Sequence, residues 1–201
     1  MKKAILYIHG KGGSAAESER FKPYFPDADV IGVDYTGYIP WEVRAQIIAK
    51  YDELCGYDRI SVIANSIGAY FTMLALYDRN LSKAMFISPI LDMERLILDM
   101  MGWAGVTETQ LSEQGEIPTD FGETLSWKYL CFARENKVRW DIPTEILYAG
   151  GDNLTSRQTA EKFANEHNSS LTVMENGEHW FHTEEQLAFL YNWIKHNNST
   201  E

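Results

Sequence analysis

Short runs of aliphatic and β-branched residues alternate along this chain with longer amphipathic segments, and several of the runs are apolar almost throughout. A strand with one face in water alternates polar with apolar side chains. A strand apolar on both faces has to be covered on both, as in a parallel sheet flanked by helices. Strand candidates are Ala4–Ile8, Val30–Val33, Ile60–Ala64, Ala84–Ile87, Glu145–Tyr148 and Leu171–Met174. Helix candidates lie near Ala15–Tyr24, Trp41–Leu54, Ile67–Tyr77, Glu123–Asn136, Ser156–His167 and Glu184–Lys195. This order predicts an α/β, doubly wound, mostly parallel six-stranded sheet with helices on both faces. At 201 residues, 45% of them hydrophobic, the chain suits a single domain with a full core.

One section breaks the alternation. Between Pro89 and Trp127 there is no β signal; an apolar stretch around Leu96, Ile97, Met100, Met101 and Trp103 is followed by polar sequence through Pro118. Eight acids stand there against one base, Arg95. So long an excursion between a strand and a helix is usually functional, and it reads as a short helical, lid-like insertion at about 90–127 within a domain spanning 1–201. The apolar residues at near-helical spacing suit packing first and an acyl-binding wall second.

With 18 Lys and Arg against 29 Asp and Glu, the formal charge is −11. A surface of that sign argues against nucleic acid or an anionic membrane as the main partner. The apolar stretch Ala4–Ile8 is too short for a signal-peptide core, and no run approaches the length of a membrane span. Cys55 and Cys131 have neither metal-ligand spacing nor a disulfide pattern, and read as small apolar helix residues. A cytoplasmic protein that meets small molecules is the expectation.

The segment Ala64-Asn65-Ser66-Ile67-Gly68 joins the third strand candidate to an apolar helix. So tight a corner strains its central residue and leaves no room for bulk two positions to either side. Ala64 and Gly68 supply small residues there, and the Ser66 hydroxyl is left protruding. This is the pattern of a nucleophile elbow, G-x-S-x-G, with Ala for the first Gly. A serine hydroxyl is a poor nucleophile at neutral pH; it needs a base, an orienting acid and donors for the oxyanion. In doubly wound sheets these belong at the C-terminal ends of strands. Those ends carry His9-Gly10-Lys11-Gly12-Gly13 after the first strand, Ser66 after the third, Gly150-Gly151-Asp152 after the fifth and Gly177-Glu178-His179-Trp180 after the sixth.

In these motifs, and along nearly its whole length, the chain resembles the α/β-hydrolase superfamily. The family's order of nucleophile, acid and base is met by Ser66, Asp152 and His179, and its His-Gly loop by His9-Gly10. Six strands suit a minimal version of the fold. The resemblance implies acyl transfer on a small ester or thioester, carboxylesterase foremost, with thioesterase, lipase or peptidase as variants and with neither metal nor organic cofactor. His179 would act as base and Asp152 would steady it. The N–H groups of Ile67 and Lys11 would meet the oxyanion, with Gly12 as the alternative to Lys11. Met100, Trp103 and Trp180 would contact substrate, and Tyr38 and Trp41 fall near the same rim.

Competing assignments remain open at this point. Asp92 rivals Asp152, and His182 rivals His179, although its place at the start of the last helix suits capping or solvent. His9 suits a loop brace, and His167 and His196 suit favourable charges late in helices. Gly10-Lys11-Gly12-Gly13-Ser14-Ala15 also fits G-x-G-x-x-G/A, with Asp34 placed as a ribose partner, so a dinucleotide-binding protein is a rival reading. A hydrolase-like binding protein without activity is another.

Overall fold

The computed structural model describes residues 1–167 and 169–198. In chain order its elements are β1 (Lys3–Ile8), a 3-10 helix (Ala15–Tyr24), β2 (Ala28–Gly32), α1 (Pro40–Asp52), β3 (Arg59–Asn65), α2 (Ile67–Leu76) and β4 (Lys83–Ile87). Then follow α3 (Met93–Ala104), α4 (Glu108–Gln114), β5 (Glu116–Pro118), β6 (Thr124–Ser126) and α5 (Trp127–Glu135). The chain closes with β7 (Thr144–Ala149), α6 (Arg157–Glu166), β8 (Ser170–Met174) and α7 (Glu184–Asn198). Chain contacts divide it into two compact units, Met1–Leu91 with Arg139–Glu201, and Asp92–Val138. Among the described residues no helix is long and apolar enough to cross a membrane.

The first unit is a six-stranded sheet in the order β2-β1-β3-β4-β7-β8, with every pairing parallel. The six strands expected from apolar runs are the six found. Register sorts their side chains into two faces: Leu6 lies opposite Val62, Val62 opposite Ala84, and Phe86 opposite Ile146. The intervening residues Ile5, Tyr7, Ile63, Met85, Ile87, Leu147 and Ala149 form one core with Phe21 of the 3-10 helix and Leu190, Trp193 and Ile194 of α7. The other face is covered by α2, buried at every position from Gly68 to Leu76, with α1 packed against it. A helix apolar all round has to be enclosed on all sides, and α2 is.

Two close approaches fix the geometry at the C-terminal edge. A Cβ on Gly68 would lie 2.4 Å from the His9 carbonyl oxygen and 2.6 Å from that of Ile8, so the first turn of α2 rests on the backbone where β1 ends. A Cβ on Gly32 would meet the Ala15 carbonyl oxygen at 2.1 Å. The segment Ala15–Tyr24 winds as a 3-10 helix and carries Pro23, which can neither donate to an α-helical ladder nor fit its carbonyl four residues back. Cys55 departs from expectation: it is exposed, in the turns after α1, whereas Cys131 is half-buried on α5.

The second unit also departs from expectation. The stretch where no β signal was expected holds the antiparallel pair β5–β6, each strand three residues long and too short for alternation to register. Its helices are capped locally. Asp92 accepts the Arg95 N–H at the start of α3, Gly105 closes that helix at φ 65°, and Thr107 with Gln110 forms a capping box on α4. Arg134 on α5 forks to Glu94 at 2.9 Å and to both oxygens of Glu108 at 2.7 and 2.8 Å, and the Lys137 ammonium also pairs with Glu94. The acidic stretch therefore finds counter-charges just beyond Trp127, on α5 and after it.

Replacing Gly68 by Ala would gain about 1 kcal/mol of helix propensity, but the blocking atoms are fixed backbone oxygens. A net loss of about 1–3 kcal/mol is expected from overpacking, read as a lower midpoint in denaturant unfolding. A second expectation concerns acid. Hydrogen bonds from Lys137 and Arg134 lower the Glu94 carboxyl, and those from Arg134 lower Glu108. The folded unit therefore binds these protons less readily than the unfolded chain. Their contribution is present above the ordinary glutamate range and is lost as pH falls through the lowered values. Amide protection factors, corrected for the pH dependence of intrinsic exchange, should fall more steeply in α3, α4 and α5 than in the sheet as pH drops from 6 to 3, and Glu94→Gln should flatten that difference.

Candidate active site

Ser66 follows the last residue of β3 and precedes the first of α2, with φ 53° and ψ −123°. That region is strained for any residue with a side chain, and the surroundings impose it. The Ser66 N–H donates to the Ile87 carbonyl at 2.9 Å, and the Ser66 carbonyl accepts from Ala69 and Ile90, both at 3.1 Å. Ala64 is fully buried and Gly68 rests on β1, the two small residues that the corner needs. Serine is a favoured helix cap because its oxygen accepts a backbone N–H of the first turn. Ser66 makes no such bond. Its Oγ lies instead 2.8 Å from Nε2 of His179.

His179 comes from the loop after β8, with its side chain only 6% exposed. Its Nδ1 stands 2.7 Å from Oδ2 of Asp152, whose side chain, on the loop after β7, is wholly buried. Oδ1 of Asp152 accepts the N–H of Leu154 at 2.7 Å and of Thr155 at 3.2 Å. A carboxylate can only accept, so the hydrogen bond places the imidazole proton on Nδ1 and turns the Nε2 lone pair toward the Ser66 hydroxyl. The loops after β3, β7 and β8 thus bring a hydroxyl, an imidazole and a carboxylate into one hydrogen-bonded line.

The loop after β1 lies against this line. Sequence neighbours β2 and β3 flank β1 on opposite sides, so the strand order reverses there, the place where crevices open in doubly wound sheets. A Cβ on Gly10 would come within 3.1 Å of the Ser66 Cβ. His9 is buried, donates from Nδ1 to the Gly10 carbonyl at 2.8 Å, and stacks on Tyr35 with centroids 4.1 Å apart. Tyr35 in turn donates to the His9 carbonyl at 2.6 Å, and burial pushes its phenol up. His9 is a brace. The Gly12 N–H donates to the Tyr38 hydroxyl at 2.8 Å, which commits the alternative oxyanion donor elsewhere. The Ile67 N–H, at the first position of α2, has no acceptor within its helix.

Other candidates are engaged differently. Asp92 caps α3. His182 is exposed, 3.5 Å from Glu178. His167 ends α6 and donates from Nδ1 to the Trp140 carbonyl at 2.7 Å, a tie between segments where a helix-end charge was expected. Trp180 is 70% exposed and stands edge-on to the His179 ring, centroids 5.9 Å apart. Met100 and Trp103 sit on α3 of the second unit, Met100 half-buried and Trp103 53% exposed with its ring edge-on to Phe121. A cavity of about 220 Å³ lies at the opposite edge of the sheet, where Lys83 donates to the Asn197 carbonyl at the end of α7. Among the described residues no group of three or more His, Cys, Asp or Glu could hold a metal ion.

The dinucleotide reading meets an electrostatic obstacle. The glycine loop leads into the 3-10 helix, and the Glu17 carboxylate of its first turn lies 2.9 Å from where a Gly13 Cβ would be. A pyrophosphate seated on these glycines would face that negative charge.

Neither a protein-family model nor a curated protein matches this sequence. Solved structures do. Est1E from Butyrivibrio proteoclasticus is 16% identical over 97% of this chain and 86% of its own, with a TM-score of 0.76. Alpha/beta hydrolase domain-containing protein 10 from mouse is 14% identical over 98% and 89%, with a TM-score of 0.75. An esterase from Exiguobacterium antarcticum is 17% identical over 96% and 92%, with a TM-score of 0.60. Coverage is nearly complete in each case, and the chain has the α/β-hydrolase fold.

Proposed function

We propose that this protein is a serine hydrolase that cleaves small esters or thioesters through an acyl-enzyme, with carboxylesterase as the leading activity. The observation that carries the reading is the line from Ser66 through His179 to Asp152, built on a strained serine that forgoes its helix cap. The esterases sharing this fold support it. His179 Nε2 takes the Ser66 proton as Oγ attacks the acyl carbon. Asp152 holds the ring and balances the charge that the imidazolium acquires. The oxyanion is met by the N–H groups of Ile67 and Lys11, each such donor worth about 2.7–4 kcal/mol in the transition state. The imidazolium then gives its proton to the departing alcohol or thiol. Water, deprotonated by the same nitrogen, releases the acid and frees Ser66. Trp180, open beside His179, offers an apolar face to the acyl or leaving group.

A fluorophosphonate probe should label the wild type and leave Ser66→Ala unlabelled; labelling that persists in the variant removes Ser66 as nucleophile. No labelling of a folded wild type favours a binding protein without activity. The ester-hydrolysis rate should follow the neutral form of His179, so kcat/KM falls toward acid. Asp152→Asn should lower kcat by about 10⁴-fold, because an amide can donate to Nδ1 and turn the ring to the wrong tautomer.

A further inference from the structure

The nucleophile and the acid are joined by a second path that does not pass through His179. It runs along the turn after β4. Ile87 and Ile90 hold the backbone of Ser66 from both sides, by the Ser66 N–H to the Ile87 carbonyl at 2.9 Å and the Ile90 N–H to the Ser66 carbonyl at 3.1 Å. Between them, the Ser88 N–H donates to the Leu147 carbonyl of β7 at 2.8 Å. The Pro89 carbonyl accepts the Thr155 hydroxyl at 2.8 Å across 66 positions of sequence. Thr155 is buried, its own carbonyl takes the Tyr148 hydroxyl at 2.9 Å, and its N–H is one of the donors on Oδ1 of Asp152.

The turn is built against local preference. Ser88 has φ 42° and is fully buried, and among the described residues its Oγ has no hydrogen-bond partner. Strain and an unsatisfied hydroxyl together mark a backbone course set by its surroundings, not by its own sequence.

We propose that Thr155 is a positioning residue that locks the Asp152 loop to the turn holding Ser66, so that acid and nucleophile keep a fixed separation while His179 moves a proton between substrate and Ser66. The effect on rate rests on the hydrolase reading; the geometric lock does not. The Thr155 hydroxyl is the side-chain group that bridges the Asp152 loop to the turn after β4; the Tyr148 hydroxyl meets the Thr155 carbonyl from β7 and does not touch that turn. Removing it leaves the two N–H groups on Asp152 in place but releases the loop that carries them. The carboxylate then drifts from Nδ1, and the ring loses its alignment on Oγ.

Thr155→Val keeps the shape and removes the hydroxyl, whereas Thr155→Ser keeps the hydroxyl. With a short p-nitrophenyl ester, Thr155→Val should lose about tenfold or more in kcat, with KM held within about twofold, and Thr155→Ser should recover most of the rate. The proton shared by His179 and Asp152 should give a far-downfield ¹H NMR signal in the wild type, identified by its loss in Asp152→Asn. That signal should shift or exchange away in Thr155→Val and persist in Thr155→Ser. An unmoved signal with kcat within about twofold of wild type overturns the proposal, as does a Thr155→Val protein that is less stable yet turns over normally when folded. If the wild type hydrolyses no ester, the reading of function fails, and the NMR comparison alone still decides whether Thr155 holds the acid in place.

Discussion

At the C-terminal edge of the sheet, the conformation of Ser66 governs what its neighbours can be. The chain must turn from β3 into α2 within one residue, and that residue's backbone is tied on both sides, by its N–H to the last residue of β4 and by its carbonyl to the turn after it. The same turn demands that α2 start in contact with β1, which leaves Gly68 without space for a side chain. The loop after β1 is then brought against the corner, with Gly10 close to the Ser66 Cβ and His9 locked behind it by Tyr35. A local strain is thus distributed over several strand ends, none of which could move alone.

The acid is held by a different principle. Asp152 has no exposed side-chain surface, and burying a carboxylate is costly unless its lone pairs are filled. Two backbone N–H groups and the His179 ring supply those partners. The imidazole is consequently oriented by a group that cannot itself rotate without losing several bonds at once. Such preorganisation, with donors and acceptors already placed, is what a charge-forming reaction requires of its surroundings.

The sheet was legible because its four central strands, β1, β3, β4 and β7, are apolar almost throughout, a pattern that short half-exposed strands cannot imitate. The hairpin of β5 and β6 escaped for that reason: within β6 only Leu125 is buried, and three residues do not make a period. Ser66, Asp152 and His179 could be picked out because each follows an apolar run that predicts a strand end. Thr155 could not, since its partner is a carbonyl far away in sequence and Asn153-Leu154-Thr155 has no chemistry of its own to notice. The commitment of the Gly12 N–H to Tyr38 was hidden likewise, because glycine spacing says nothing about which amides are already engaged. Local chemistry marks the groups; only the assembled backbone says which remain free.

The backbone angles at Ser66 carry one more implication. Glycine would sit at φ 53° and ψ −123° without penalty, and it would bring no hydroxyl that abandons its helix. A chain shaped for endurance alone would place glycine at that corner. This protein holds instead a residue that weakens its own framework, and the weakness lies where the oxygen is presented to the imidazole.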